Sequence, residues 1–255
     1  MGDFADHEKI VKSDVENFFD KNADMHKNIH AVLDAKPTPA VMHSNLYRDY
    51  FTRRYMNKYV APQPGDSILD FGCGVGRVTF DFANRVKKIS GIDTSKNMLS
   101  VAESLKGNRT NVSFELLSES RLPYSDNSFN KIFSNWVIQH ISDQNLIIYL
   151  REFHRILSSG GRIYLFEQTM SQLSSNEIHT FRKTEDYEKI ISSAGFKKIL
   201  VKPVMRVPAR GMSIWNKKLF PKIIFPALAL IDEMTMTRKP EFVKYYTSAF
   251  VYEKM

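Results

Sequence analysis

The run Ile68–Leu69–Asp70–Phe71–Gly72–Cys73–Gly74–Val75–Gly76 is the part of the chain best suited to hold a ligand. Its apolar start reads as a buried strand, and the glycines read as a tight turn that opens a helix. Glycine lets backbone pass close to a bound molecule where a Cβ would collide. The spacing is G-x-G-x-G, which differs from the G-x-G-x-x-G of dinucleotide-binding turns. Asp93 ends the segment Gly91–Ile92–Asp93, 21 positions after Gly72. A carboxylate about 20 residues beyond such a loop, at the end of the next strand, can hold a ribose diol. Loop and carboxylate together point to an adenosine-containing ligand.

These residues need a parallel sheet to position them. After the turn signal Pro62–Gln63–Pro64–Gly65–Asp66, short apolar runs alternate with helical segments, the pattern of an α/β fold. The sequence predicts strands at Ser67–Phe71, Lys88–Ile92, Val112–Leu117, Lys131–Ser134 and Arg162–Phe166. Helices are predicted at Val75–Arg85, Ser95–Leu105 and Ser142–Leu157, with Ser95 and Ser142 as N-caps and Gly160–Gly161 ending the third. A fourth helix, Thr184–Ala194, precedes a last pair of strands, Phe196–Val204 and Ser248–Glu253. Residues 1–60 read as helical, with Val11, Val15, Phe18 and Phe19 at helical spacing. The break Pro37–Thr38–Pro39 separates that helix from a second at Tyr47–Tyr59.

The 255 residues suit one large domain with additions. A hydrophobic fraction of 43% and a charged fraction of 25% exclude a disordered chain or a collagen-like repeat. Cys73 is the single cysteine, so neither an internal disulfide nor a cysteine-based zinc site is available. No metal-ligand spacing is recognisable, no metal is expected, and the acidic and basic residues near the N-terminus do not read as a signal peptide. A cytoplasmic location is the expectation. The longest apolar run, Ile223–Ile231, contains Pro226 and is too short to span a bilayer.

The net charge is +8, and its location is informative. Between Phe196 and Tyr245 lie eleven basic residues, among them Lys217, Lys218, Lys222, Arg238 and Lys239, against Asp232, Glu233 and Glu241. Such a segment can attract an anionic partner or be a solvated surface.

From Pro62 to Val204 the chain resembles the class I S-adenosylmethionine-dependent methyltransferases, of the kind that modify small molecules. Four blocks carry the resemblance in order. They are the glycine run, Gly91–Ile92–Asp93–Thr94–Ser95–Lys96–Asn97–Met98–Leu99, Leu122–Pro123–Tyr124–Ser125–Asp126–Asn127–Ser128–Phe129–Asn130, and Arg151–Glu152–Phe153–His154–Arg155–Ile156–Leu157–Ser158–Ser159–Gly160–Gly161. The resemblance implies a Rossmann-like, seven-stranded, mostly parallel sheet with helices on both faces. Its parts are an N-terminal helical cap (1–60), a cofactor-binding core (61–204), a basic helical insertion capping the substrate (205–247) and a last core strand (248–255).

It also implies S-adenosylmethionine as cofactor, leaving as S-adenosylhomocysteine, and a set of contacts to it. Asp70 with Gly72, Cys73, Gly74 and Gly76 shapes the floor under the methionyl part, with Asp70 fixing its amine. Asp93, with Thr94 beside it, holds the ribose, and Met98 flanks the adenine. Where similar enzymes carry an aspartate for the adenine amino group this chain has Ser118, followed by Glu119 and Ser120. Asn135 and Trp136 line the methyl-transfer channel. Candidate general bases are His140, just past the fourth strand, and Glu167, just past the fifth, with Glu167 favoured because a buried carboxylate's pKa rises. His179 and Arg182 lie in a loop that could reach substrate, and Tyr47, Tyr50, Arg53 and Arg54 on a helix that closes over the cofactor or simply packs.

Three functions remain open at this point: methylation of a small, anionic acceptor such as a phosphorylated or sugar-type metabolite; methylation of RNA through the basic segment; and cofactor binding without turnover. The segment 223–234 is a lid, a dimer contact, a membrane-touching helix or plain core.

Overall fold

The computed structural model describes residues 10, 12–25, 39–176, 178–206, 221–236 and 245–255. In chain order the helices are α1 (Lys12–Met25), α2 (Pro39–Tyr59), α3 (Arg77–Ala83), α4 (Lys96–Lys106), α5 (Asp143–Ile156), α6 (Thr184–Ser193) and α7 (Phe225–Met236). The strands are β1 (Ser67–Phe71), β2 (Lys88–Asp93), β3 (Val112–Leu116), β4 (Phe129–Asn135), β5 (Leu157–Met170), β6 (Ser174–Ser175), β7 (Thr180–Phe181), β8 (Phe196–Arg206) and β9 (Tyr245–Lys254). Seven of them form one sheet in the order β3-β2-β1-β4-β5-β9-β8. The first five are parallel, and β9 runs antiparallel to both β5 and β8. The seven-stranded, mostly parallel Rossmann-like sheet expected from the sequence is therefore present.

Both faces of the sheet are covered, which is why its strands read as nearly continuous apolar runs. In β5, Ile163 and Leu165 pack with Leu150 and Phe153 of α5 and Ile190 of α6. Tyr164 and Phe166 point the other way, into a core with Phe51 and Tyr55 of α2, Phe82 of α3 and Phe225 of α7. Each fully buried side chain of this size contributes about 1.5–3 kcal/mol relative to exposure. Ser95 caps α4 by accepting from the Met98 N–H at 3.1 Å, and Ser142 caps α5 from Asn145 at 3.4 Å.

Several boundaries differ from expectation, three of them instructively. Gly160–Gly161 does not end α5, which stops at Ile156 because Leu157 is already extended. The glycines lie inside β5, where its pairing with β4 shifts register between Phe129 and Lys131. A Cβ on Gly161 would sit 2.8 Å from the Ser158 carbonyl oxygen, so the irregularity requires glycine there. Helix α2 begins at Pro39 rather than near Tyr47; proline suits a first helical turn, whose N–H groups have no intrahelical partner. Strand β8 runs past Val204 to Arg206 with a register shift at Pro203, tolerated because β8 is an edge strand.

Helix α2 is tied to its surroundings by ions rather than by aromatic packing alone. Arg77 meets Asp49 at 2.6 Å, Arg53 bridges Asp49 and Asp81, and Arg54 forks onto both oxygens of Glu233 on α7 at 3.2 Å. Arg53 and Arg54 thus hold helices together. Val11, Pro37 and Thr38, with the insertion residues Arg210, Lys217, Lys218, Arg238, Lys239 and Lys244, lie outside the described residues.

Candidate active site

The strand order reverses between β1 and β4, and in open parallel sheets ligands bind at the carboxyl ends of the strands beside such a reversal. A cavity of about 420 Å³ occupies that position. Gly72 and Gly74 border it beyond β1, Asp93 and Thr94 at the end of β2, Leu117 beyond β3, Asn135 and Trp136 at the end of β4, and Gln168 in β5.

The glycine loop is held by its own backbone and by Asp93. The N–H groups of Gly72 and Cys73 both donate to the Ile92 carbonyl, at 2.8 and 3.1 Å. Gly74 donates to Asp93 Oδ2 at 2.7 Å and Ser95 to Asp93 Oδ1 at 3.0 Å. Each oxygen keeps acceptor capacity, so the carboxylate can also receive two hydroxyls from the cavity. Burial pushes the Asp93 pKa up, opposed by these amides. Gly72 has φ +74°, and a Cβ there would lie 2.3 Å from a methyl of Val137, so loop and neighbouring turn touch through the missing side chain. This cradle and the free acceptor capacity of Asp93 fit a ribose-bearing ligand.

Helix α1 closes the cavity from above. Ile10, Lys12, Val15, Phe18 and Phe19 line it, and Phe19 meets the His140 ring edge-on at 5.3 Å. Asp20 docks the helix by accepting from the Ser95 hydroxyl and, at 3.4 Å, from the Asn97 N–H. That places a carboxylate at the positive N-terminal end of α4.

The turn after β4 forms the opposite wall. The Tyr55 hydroxyl donates to Asn135 Oδ1, which leaves the amide nitrogen to face the cavity. Trp136 has φ +59°, a conformation rare for a bulky residue, and is held there by Nε1–H donation to Thr247 at 2.9 Å. Glu167 is fully buried and does not line the cavity. Its carboxylate accepts from the Ser134 hydroxyl at 3.0 Å and from the N–H groups of Val137 and Gln139 at 3.3 and 3.4 Å. Burial raises its pKa to about 7 against the pull of these donors. Arg182, also fully buried, pins the same turn through the carbonyls of Ile138 and Ile141 and through Asp143.

His140 does line the cavity. Its Nδ1 donates to the Ile178 carbonyl at 2.7 Å, which leaves the lone pair on Nε2, toward the Gln139 amide at 3.3 Å. Burial lowers its pKa to about 4, so the ring is neutral at neutral pH. His179 stands beside it, ring centroids 5.0 Å apart.

Of the residues singled out from sequence, Gly72, Gly74, Asp93, Thr94, Met98, Asn135, Trp136, His140 and His179 share this cavity, and Arg182 does not line it. Asp70 is buried but turned away: its Oδ2 accepts from the Thr79 hydroxyl at 2.5 Å, and burial raises its pKa to about 7. Cys73 is buried behind the loop, its thiol pKa pushed up by burial, and Gly76 packs against Phe80 and Phe114. Ser118, Glu119 and Ser120 are exposed and lie beyond the lining, which reaches only Leu117.

Sequence reasoning missed Arg48, which lines the cavity from α2 and, with Lys12, supplies its cationic side chains among the described residues. The signal was its spacing: Arg48 stands seven residues before Tyr55, two helical turns along one face. Of the basic insertion, the described residues Pro221–Met236 do not reach the cavity, and Lys222 is exposed.

The sequence profile described as "Methyltransferase domain" matches residues 69–165, from β1 into β5. Over these residues the chain is similar to methyltransferase domains, on a sheet of the Rossmann-like methyltransferase fold. Phosphoethanolamine N-methyltransferase 1 of Arabidopsis thaliana is 29% identical to it over 136 residues, which are 51% of this chain and 28% of that protein. The chain spans about a quarter of the length of the plant enzymes of this kind that it matches. Among solved structures, phosphoethanolamine N-methyltransferase 2 of Haemonchus contortus in complex with S-adenosyl-L-methionine superposes with a TM-score of 0.61 at 19% identity, over 80% of this chain and 52% of that one. The [4+2]-cyclase SpnF superposes equally well, TM-score 0.61 at 20% identity over 81% of each chain. The methyltransferase fold therefore hosts more than one chemistry, and function must be argued from the site.

Proposed function

We propose that the chain is an S-adenosylmethionine-dependent methyltransferase acting on a small, anionic acceptor. One observation carries this reading: a single cavity is lined both by the Gly72–Gly74 loop and Asp93 and by Arg48, Asn135 and His140. Bound S-adenosylmethionine supplies an electrophilic sulfonium methyl. The chain's task is then alignment of acceptor and methyl carbon at about 3–3.5 Å, which can lower the barrier by about 7–11 kcal/mol at best.

Asp93 holds the ribose through the acceptor capacity its amide bonds leave open. Asn135 presents its amide N–H to the acceptor, and Arg48 draws a carboxylate or phosphate into the cavity. Glu167 reaches no cavity atom; it positions the turn that carries Asn135, Trp136 and His140. His140 is the candidate base for any proton that must leave the acceptor, its Nε2 lone pair becoming available when the Gln139 amide contact at 3.3 Å opens. Phosphoethanolamine N-methyltransferases among the relatives support an acceptor that bears an anionic group. The RNA reading loses ground, because Val15, Phe18 and Phe19 of α1 put apolar side chains into the lining and the described part of the insertion stands apart from it.

Calorimetry with S-adenosylmethionine and S-adenosylhomocysteine tests the cofactor half, with micromolar affinity expected, about −8 kcal/mol. Radiolabelled methyl donor incubated with pools of small metabolites or with RNA, with and without the protein, tests the acceptor half. Label entering RNA alone overturns the small-acceptor reading, and absence of heat with either cofactor form overturns both.

A further inference from the structure

Helix α7 carries apolar side chains around most of its circumference, interrupted by Asp232 and Glu233, and such a helix is ordinarily buried on most sides. One side of it is. Phe225 and Ala229 are buried in the core with Tyr47 of α2, and Glu233 is clasped by Arg54 and Lys58. The other side faces outward. Ile223, in the turn that leads into the helix, is 84% exposed, Leu230 49%, and Ile231 and Met234 55% each. At about 3.6 residues per turn, Ile223, Ala227, Leu230, Ile231 and Met234 fall on one stripe. Of the ten large apolar side chains exposed among the described residues, three sit on α7 and a fourth, Ile223, in the turn that leads into it.

Charge decides what covers the stripe. In the sequence, Lys217, Lys218 and Lys222 precede it, and Arg238, Lys239 and Lys244 follow it. Lys222, directly beside Ile223, is exposed. A second copy of the chain docking face to face would bring two like excesses of positive charge together. An anionic surface instead neutralises them while taking up the apolar side chains. No helix of the described residues is long and apolar enough to cross a membrane, so the contact is interfacial.

We propose that the outer face of α7, from Ile223 to Met234, docks on the surface of an anionic lipid bilayer. The apolar stripe enters the boundary between headgroups and acyl chains, and the exposed Lys222 beside it meets the lipid phosphates. The proposal does not depend on the methyl-transfer reading, since α7 supplies nothing to the cavity.

Sedimentation of the full chain with vesicles tests it, using phosphatidylcholine alone and phosphatidylcholine mixed with phosphatidylglycerol. The chain should sediment with the mixed vesicles, less as salt is raised, and not with the neutral ones. Ile223→Asp combined with Leu230→Asp should weaken partitioning about tenfold or more. Lys222→Glu should weaken it roughly fivefold or more. Both side chains replaced in the double variant are on the surface, and circular dichroism with thermal melting verifies that each variant is folded. No sedimentation with the mixed vesicles overturns the proposal, and so does a double variant that partitions like the wild type. A dimer found by analytical ultracentrifugation, lost in the double variant and unaccompanied by lipid binding, assigns the face to a second copy instead.

Discussion

The Tyr55 hydroxyl, on a helix outside the matched methyltransferase domain, donates to the side-chain carbonyl of Asn135 at the mouth of β4. Tyr55 is fully buried among Phe51 and Phe166, so its position is set by packing. The bond makes the N-terminal region part of the site, since it determines which end of the Asn135 amide the cavity meets. Tyr55→Phe keeps the packing and frees the amide to rotate. We expect kcat/KM to fall about tenfold, the worth of one hydrogen bond of about 1.4 kcal/mol, with S-adenosylhomocysteine affinity unchanged. Equal losses in both would mean that Tyr55 supports the whole fold rather than Asn135.

Asp93 has two tasks, and two variants separate them. Asp93→Ala removes the acceptors for Gly74 and Ser95 together with those for the ribose, so it should weaken cofactor binding by about 1–3 kcal/mol and also lower the melting temperature. Asp93→Asn keeps one carbonyl oxygen for an amide and turns a donor toward the other. It should melt closer to wild type while still binding the cofactor poorly. Calorimetry and melting curves on both give the answer, and cofactor affinity retained in Asp93→Ala would remove Asp93 from the site.

How far the sequence could be read follows from which side of a strand a residue faces. The parallel strands were legible because burial on both faces leaves continuous apolar runs, and β1 falls at its expected limits. Glu167 was legible as a residue near the carboxyl end of β5, but β5 runs on to Met170. Alternation along the strand then puts Gln168 on the cavity wall and turns Glu167 toward the Val137–Gln139 turn. Gly160–Gly161 misled because glycine marks a helix end and a strand irregularity alike. Arg48 was hidden because α2 carries aromatic and charged residues around its circumference and shows little one-sided pattern. The remaining lining, Phe18, Phe19, Tyr149 and Phe181, comes from elements brought together only by the tertiary fold.

Glu167 should leave a mark on stability as a function of pH. Its pKa rises from the ordinary carboxylate range to about 7 in the folded protein, so the native state favours the protonated form. Stability from this group is complete below its unfolded pKa and is lost as pH climbs through about 7. The loss is about 3 kcal/mol when the carboxyl is fully ionised. Asp70, raised to about 7 by burial, adds a change of the same sign. The melting temperature should therefore decline between about pH 4.5 and 8. Glu167→Gln should lie lower at acid pH, since its amide opposes backbone N–H donors, but should decline less steeply. Parallel curves for the two proteins would mean that Glu167 is already ionised across the range.

Arg48 carries the last prediction, because it separates selection inside the cavity from charge on the surface. If the acceptor's anionic group is drawn in by the guanidinium, Arg48→Ala removes a charge-assisted hydrogen bond worth about 1.5–3 kcal/mol. KM for the acceptor should rise roughly tenfold to a hundredfold, and its dependence on salt should flatten. Binding of S-adenosylhomocysteine should be unchanged, as Asp93 and the glycine loop are untouched. Arg48→Lys should restore only part of the loss, since an ammonium cannot make the paired contact of a guanidinium. Lys222→Gln serves as the control: exposed and outside the cavity lining, it should leave KM as it was. A rise in KM with Lys222→Gln but not with Arg48→Ala would return acceptor selection to the basic insertion. A fall in kcat alone in Arg48→Ala would place the guanidinium at the reacting atoms instead of at the acceptor's charge.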